Sequence, residues 1–201
     1  MSSLKKKTHF AKLRPLSSRP YFTSQQARHL GVSAALLSYY TNIGLLRRIH
    51  RGVYQTDSVS SKTSLQWGDL LQALQTIPQG TVCLATALTV YGYSEEKSRQ
   101  YWIAIPHSTS SKSSRLIKII RMRNLALGKT TISLDGIKVA IFDHERTIID
   151  AFRQLGREVA IKALKIAVTK KGAEKLDLVK LQTYAKKLRV NIEPYLLAVG
   201  T

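Results

Sequence analysis

Residues 21–56, YFTSQQARHLGVSAALLSYYTNIGLLRRIHRGVYQT, decide how the first part of this chain folds. Thr23 and Ser24 are candidate caps for the N-terminus of one helix, and Ser33 is a candidate cap for a second helix. Gly31 lies between them and permits the positive backbone angle that a tight turn between helices often needs. The pattern therefore predicts two short helices joined at Gly31.

A hairpin is expected after the second helix. Gly44 is placed to end that helix, and Arg47–Tyr54 has the pattern of two short strands around Arg51–Gly52. A further short helix, ending near Pro15, is expected before the quoted stretch. The apolar residues expected to form the core, or to pack under the second helix, are Ala27, Leu30, Leu37, Tyr40, Ile43, Leu45 and Leu46. This order of elements predicts a winged helix-turn-helix.

The charge of this segment has one sign. No Asp or Glu occurs from Met1 to Thr56, whereas ten Lys or Arg residues do. The whole chain of 201 residues has a formal net charge of +20. A basic folded unit favours a polyanionic partner, and Lys5–Lys7 can form an arm that contacts phosphates. Double-stranded DNA is therefore the predicted partner, ahead of an anionic membrane or an acidic protein.

The predicted DNA surface has two parts. The major groove accepts one α-helix, so side chains near the start of the second helix are expected to contact base edges. Basic residues of the hairpin are expected to contact flanking phosphates or a minor groove. The residues of this predicted surface are Ser24, Ser33, Ala34, Ala35, Ser38, Tyr39, Asn42, Arg47, Arg48, His50 and Arg51. A small helical domain that binds another protein is the alternative interpretation.

The rest of the chain predicts a second domain, so the fold class is α+β. The polar stretch Asp57–Ser64 is the best boundary, which places the first domain at 1–57 and the second at 65–201. The second domain is expected to be a mixed α+β unit with a small sheet followed by a C-terminal helical bundle. Its first expected elements are helices at Leu65–Thr76 and Thr81–Tyr91, strands at Tyr101–Ile105 and Leu116–Met122, and a hairpin at Ile132–Ile141.

Five motifs together resemble the AbiEi-type antitoxins, the regulatory halves of type IV toxin–antitoxin pairs. The first is T-S-x-x-A-x-x-L-G-V-S-x-x-x-L from Thr23, and N-x-G-x-L and R-G-V-Y follow within Asn42–Tyr54. The others are YWIAIP at Tyr101–Pro106 and DHERTIID at Asp143–Asp150. The resemblance implies a winged helix that represses its own operon. It also implies a second domain that counters a nucleotidyltransferase-like toxin.

The DHERTIID segment permits two interpretations. Asp143, Glu145 and Asp150 could be metal ligands of a DNA-targeted nuclease or transferase. The structural interpretation, which we favour, has Asp143 cap a helix, Glu145 favour the positive end of that helix, and Arg146 or Asp150 form an ion pair. A plain DNA-binding regulator without a toxin is a further alternative.

Other classes of protein are excluded or disfavoured. The single cysteine, Cys83, excludes an internal disulfide and a cysteine-based zinc site, and its apolar surroundings predict a buried position. No uncharged apolar run approaches the roughly 18 residues that cross a bilayer, and the basic start is not followed by an apolar segment. We therefore expect a cytoplasmic protein that has no membrane partner, no catalytic residues, no metal and no cofactor.

Overall fold

The computed structural model describes residues 9–17, 22–56, 67–77, 79–96, 98–111 and 113–199. The chain divides into two compact units. Unit 1 comprises Met1–Pro78 with Ser133–Lys138, and unit 2 comprises Gln79–Ile132 with Val139–Thr201. The predicted arm Lys5–Lys7 and the predicted boundary Asp57–Ser64 lie outside the described residues, so the domain limits at 57 and 65 stay predictions.

Unit 1 has the order of elements of a winged helix. Its elements are α1 (Arg14–Ser17), β1 (Phe22–Thr23), α2 (Ser24–His29), α3 (Ala34–Asn42), β2 (Leu46–His50), β3 (Val53–Thr56) and α4 (Gly68–Thr76). The three strands pair antiparallel in the order β1-β3-β2. The hairpin β2–β3 is therefore the wing, and it follows the helix pair α2–α3.

Local sequence explains the two helix starts. Thr23, and not Ser24, caps α2: its Oγ1 accepts a hydrogen bond from Gln26 N at 3.1 Å, and its own amide donates to Gln26 Oε1 at 2.8 Å. Gly31 adopts a φ of +76° in the turn, and Ser33 Oγ accepts from Leu36 N at 3.3 Å to cap α3. The predicted helix-turn-helix is thus present with its expected turn and caps.

The end of α3 differs from the expected packing. The buried core includes Ala27, Leu37, Tyr40 and Leu46, whereas Leu30 is only partly buried. Ile43 and Leu45, both predicted to pack inside, are 49% and 40% exposed. The cause is the turn at Gly44, which has a φ of +75°, with Leu45 N donating to Tyr40 O at 2.9 Å. This turn leaves Leu46 as the first residue after the helix that enters the core.

The elements on either side of this region also differ from expectation. A first helix is expected to end near Pro15; residues 9–11 are helical, and a further short helix, α1, runs from Arg14 to Ser17 because proline fits the first turn of a helix. Helix α4, predicted as part of the second domain, lies in unit 1 and contacts β2. Its preceding amide, Trp67 N, donates to Asp135 Oδ2 at 2.8 Å.

The second half of the chain holds a sheet and a helical bundle, as the sequence predicts. Its elements are β4 (Thr81–Val82), α5 (Leu84–Val90), β5 (Tyr101–Pro106), β6 (Ile117–Met122), β7 (Lys129–Leu134), β8 (Ile137–Phe142), α6 (His144–Gln154), α7 (Arg157–Thr169), a 3-10 turn (Gly172–Glu174), α8 (Leu178–Leu188) and α9 (Glu193–Val199). The strand order is β6-β5-β4-β8-β7. The α+β class is therefore confirmed.

The sequence predicts one helix over Thr81–Tyr91, and this prediction is wrong. Thr81 and Val82 form the central strand β4, in which Val82 faces Ile103 of antiparallel β5 and Ile141 of parallel β8. These three side chains are fully buried. The start of this apolar run therefore forms a strand of the sheet, and its second part forms the helix α5. Cys83, between them, is buried as predicted.

Candidate nucleic-acid interface

One face of α3 is exposed and carries small polar and apolar side chains. Ser33, Ala34, Ala35, Ser38 and Asn42 are exposed. The opposite face contributes Leu37 and Tyr40, both at most 1% exposed, to the core. The predicted base-contacting residues are thus brought together on one face of one helix.

Tyr39 lies at the margin of that face. It is half-buried, and its ring centroid is 5.7 Å from that of Tyr40. It also packs against the core cluster of unit 1. The Tyr39 side chain therefore has less freedom than Ser38 to meet a groove.

The wing places its arginines beside α3. Arg47 and Arg48 are exposed on β2, and Arg51 is exposed in the turn before Gly52. Strand β2 contacts α3 directly, and its backbone includes His50. No acidic residue occurs in the first 56 positions to pair with these arginines. The α3 face and the wing therefore form a surface without intrinsic negative charge.

Ser24 has a different position from the other predicted contacts. It is the first residue of α2, is half-buried, and its amide donates to Gly52 O at 2.8 Å. This bond ties the start of α2 to the tip of the wing. Ser24 is therefore next to the wing and not on the exposed face of α3.

In unit 2, the acidic segment Asp143–Asp150 caps and braces α6. Asp143 Oδ1 accepts from Arg146 N at 2.9 Å, and Asp143 Oδ2 lies 3.0 Å from Lys180 Nζ. Glu145 shares the same lysine at 2.9 Å and accepts from Asp177 N at 2.9 Å. The predicted cap at Asp143 is confirmed, and both carboxylates hold α8 and the turn before it.

Asp150 has different partners. It is fully buried and receives Arg146 Nε at 2.7 Å and Arg153 Nη1 at 2.9 Å. The predicted ion pair of Arg146 or Asp150 thus joins these two residues. Among the residues that the structure describes, no group of three or more His, Cys, Asp or Glu side chains is placed to hold a metal. The geometry does not support the metal-ligand interpretation, because Asp143 and Glu145 are both paired with Lys180, whereas Asp150 is paired with Arg146 and Arg153.

Sequence reasoning missed an aromatic group beside this acidic segment. Tyr93 Oη lies 2.6 Å from His144 Nδ1, and the Tyr91 ring centroid is 4.1 Å from that of His144. Tyr91 also donates its hydroxyl to Phe142 O at 2.7 Å. The Y-x-Y spacing at 91–93 was visible in the sequence, but its partner lies 51 residues later.

The pH dependence of stability should reflect His144. Burial lowers its pKa below the ordinary value near 6.5, although Glu145 and Asp143 oppose this. The folded state then binds fewer protons here than the unfolded chain, so this contribution is complete above about pH 6.5 and is lost as pH falls toward the folded-state pKa. We expect the free energy of unfolding to fall with acidification, and to fall less in His144→Gln. Urea denaturation at several pH values measures the free energy of unfolding of both proteins. If it falls equally steeply with acidification in wild type and His144→Gln, His144 is not the source of the pH dependence.

No helix among the residues described here has the length and apolar character that crossing a membrane requires.

The winged-helix segment matches a known family. Residues 13–56 match the model of a family described as transcriptional regulators, AbiEi antitoxin. No curated protein matches the chain. The matched residues run from Leu13 through β3, and so include the α3 face and the wing. The match supports a role as a transcriptional regulator or antitoxin, and the predicted resemblance of the N-terminal segment to AbiEi-type proteins is confirmed over these residues.

Proposed function

We propose that this chain is a transcriptional repressor that binds promoter DNA through unit 1, most simply that of its own operon. The observation that carries the proposal is the exposed α3 face of Ser33, Ala34, Ala35, Ser38 and Asn42 beside a wing rich in arginine. A helix of this kind fits the major groove, where serine and asparagine bind base edges and an alanine methyl meets the thymine methyl. The family match over residues 13–56 supports the same role.

The proposed contacts divide by chemistry. Ser33, Ser38 and Asn42 contact bases, with Ala34, Ala35 and Tyr39 filling the groove beside them. Arg47, Arg48, His50 and Arg51 contact flanking phosphates, and Ser24 contacts the backbone at the edge of the wing. Phosphate contacts position the protein, whereas base contacts select the sequence.

We further propose that the second domain counters a nucleotidyltransferase-like toxin in the cytoplasm. The family whose model matches residues 13–56 is described as antitoxins, and the YWIAIP and DHERTIID motifs extend the resemblance into the second domain. Co-expression of the full chain with the product of the neighbouring gene tests it. A triple variant, Arg47→Ala, Arg48→Ala and Arg51→Ala, should still rescue growth, because its second domain is unchanged. Failure of the wild-type chain to rescue growth would contradict the antitoxin role without affecting the DNA proposal.

Salt dependence tests the DNA proposal. Fluorescence anisotropy with a fragment upstream of the gene should show affinity falling linearly in a log–log plot against salt concentration. Each phosphate contact should add about −0.9 to the slope. An affinity indifferent to salt would overturn the proposal, since four basic wing residues are assigned to phosphates.

Two single variants should separate the two kinds of contact. Arg51→Ala should weaken binding to all sequences about equally and reduce the salt slope by about 1. Ser38→Ala should instead change the preferred bases, by about 1–3 kcal/mol at the base pair it contacts. A panel of single-base-pair variants of the site measures both effects. Arg99→Ala, which removes an exposed arginine in unit 2, is the matched control for charge. Identical behaviour of Arg51→Ala and Ser38→Ala would show that the recognition helix is misassigned.

A further inference from the structure

Unit 2 contains a basic cleft of about 490 Å³ that the DNA proposal does not use. Its walls come from the residue after β5, the end of β6 with the loop after it, the first and last turns of α6, and the end of α8. The cationic side chains that line it are Arg121, Arg123, Arg146, Arg153, Lys187 and Arg189. Segments far apart in sequence thus bring their basic residues to one place, and we call this place the basic cleft.

The charge of the basic cleft is not neutralised by its own lining. None of the residues that line it is acidic. The nearest carboxylate named here, Asp150, is fully buried and is already paired with both Arg146 and Arg153. The single carboxylate of Asp150 is therefore shared by two arginines. The other four cationic side chains of the lining, Arg121, Arg123, Lys187 and Arg189, add further positive charge. A concave surface of one sign concentrates the opposite ion.

Arg146 adds a second and independent observation. Its side chain is 1% exposed, and three of its hydrogen bonds go to oxygen: Nε to Asp150, and Nη1 to Asn124 O at 3.0 Å and Leu127 O at 2.9 Å. Its Nη2, by contrast, has the thioether of Met122 at 3.8 Å. A thioether is a weak acceptor, and a buried charged donor favours an oxygen. This nitrogen belongs to a residue that lines the basic cleft, so a ligand oxygen there would be a stronger acceptor for it than the thioether.

We propose that the basic cleft binds the di- or triphosphate chain of a nucleotide. Planar guanidinium groups pair bidentately with phosphate oxygens. Such pairing suits a lining in which, besides Arg146, four of the five cationic side chains are arginines. The volume is within the range of small-ligand sites. The lining holds no Phe, Tyr or Trp, and His107 contributes its one aromatic ring. Because six cationic side chains surround that single imidazole, binding depends mainly on the phosphates, and a change of base should alter the affinity little.

The depth of Arg146 distinguishes this ligand from duplex DNA. Arg146 lines the basic cleft although its side chain is only 1% exposed, so a ligand that reaches it must be as slender as a terminal phosphate chain. The phosphates of a duplex lie within a continuous, wide backbone and approach exposed residues. The proposal is thus independent of DNA binding by unit 1, and either can fail alone.

Isothermal titration calorimetry of the full chain with inorganic pyrophosphate, ATP and CTP tests the proposal. Pyrophosphate should bind saturably, and the two nucleotides should bind with affinities within a few-fold of one another. The double variant Arg123→Ala with Lys187→Ala removes two exposed lining cations and should weaken pyrophosphate binding at least ~10-fold. The matched control, Arg115→Ala with Lys186→Ala, removes the same charges from exposed positions outside the lining and should change the affinity less than ~2-fold.

Three results would overturn the proposal. The first is no pyrophosphate binding at millimolar concentration, and the second is equal weakening by both double variants, which would indicate diffuse charge. The third is loss of promoter DNA binding in the lining variant (Arg123→Ala with Lys187→Ala), together with displacement of pyrophosphate by excess DNA. That result would make the basic cleft part of the DNA surface. Promoter binding by the lining variant within about twofold of wild type, together with reduced pyrophosphate affinity, supports it.

Discussion

Arg146→Ala should lower the free energy of unfolding of unit 2 by about 3–5 kcal/mol. The arginine is 1% exposed, and its loss leaves the fully buried Asp150 with Arg153 alone, whose side chain is 35% exposed. The carbonyls of Asn124 and Leu127 lose their donor as well. Unpaired buried polar groups are more costly than the absence of both partners. Urea denaturation, with amide hydrogen exchange to locate the change in unit 2, measures the effect.

Two further variants control for this effect. Arg153→Ala leaves the inner pair of Asp150 with Arg146 intact and should cost much less, because a partly exposed ion pair contributes about 0–1 kcal/mol. Arg146→Met combined with Asp150→Leu should recover part of the loss, since it removes both charges together. A double variant as unstable as Arg146→Ala would show that the carbonyl contacts, and not the charge of Asp150, dominate.

Leu37→Ala should destabilise unit 1 by about 2–5 kcal/mol and abolish DNA binding as a consequence. Leu37 is fully buried on the inner face of α3, where it packs in one cluster with Phe22, Ala27 and Tyr40. Its removal leaves a cavity between the helix and its support. Amide hydrogen exchange over residues 22–56 measures the loss locally, and anisotropy measures DNA binding.

Ile43→Ala is the matched control, because it removes an aliphatic side chain from the same helix end that is 49% exposed. Its effect on stability should lie within about 0.5 kcal/mol. Similar destabilisation by both variants would contradict the packing described for α3, and normal stability of Leu37→Ala would contradict the assignment of the core.

Local sequence was sufficient to predict the helices, caps and turns of the winged helix, but not which side chains after α3 are buried. Ser33, Gly31 and Gly44 act within four residues of themselves, so caps and turns could be predicted from the chain alone. The exposure of Ile43 and Leu45 depends on how the chain turns at Gly44, which spacing does not reveal. The same limit applies to Val82, because an apolar run suits a helix or a buried strand equally. Val82 forms a strand because it pairs with Ile103 and Ile141, which lie 21 and 59 residues later in the chain.

The sites follow the same rule. Asp143 as a cap and Arg146 with Asp150 four residues on were predictable from helix geometry. Lys180, which joins Asp143 and Glu145, comes 35 or more residues later, and no sequence spacing pointed to it. The basic cleft was less accessible still. Its cationic residues are spread from Arg121 to Arg189, and only tertiary structure brings their segments together.

The two faces of α3 have a consequence for how such a protein changes its target. Ala34, Ala35, Ser38 and Asn42 are exposed and belong to no core cluster, whereas Leu37 and Tyr40 carry the packing. New DNA preferences can therefore arise by substitutions that leave folding untouched. Ser33 is the exception, since it also caps the helix. A randomised library at those four positions, with Ser33 kept, should yield folded proteins at high frequency and differ among members in operator choice.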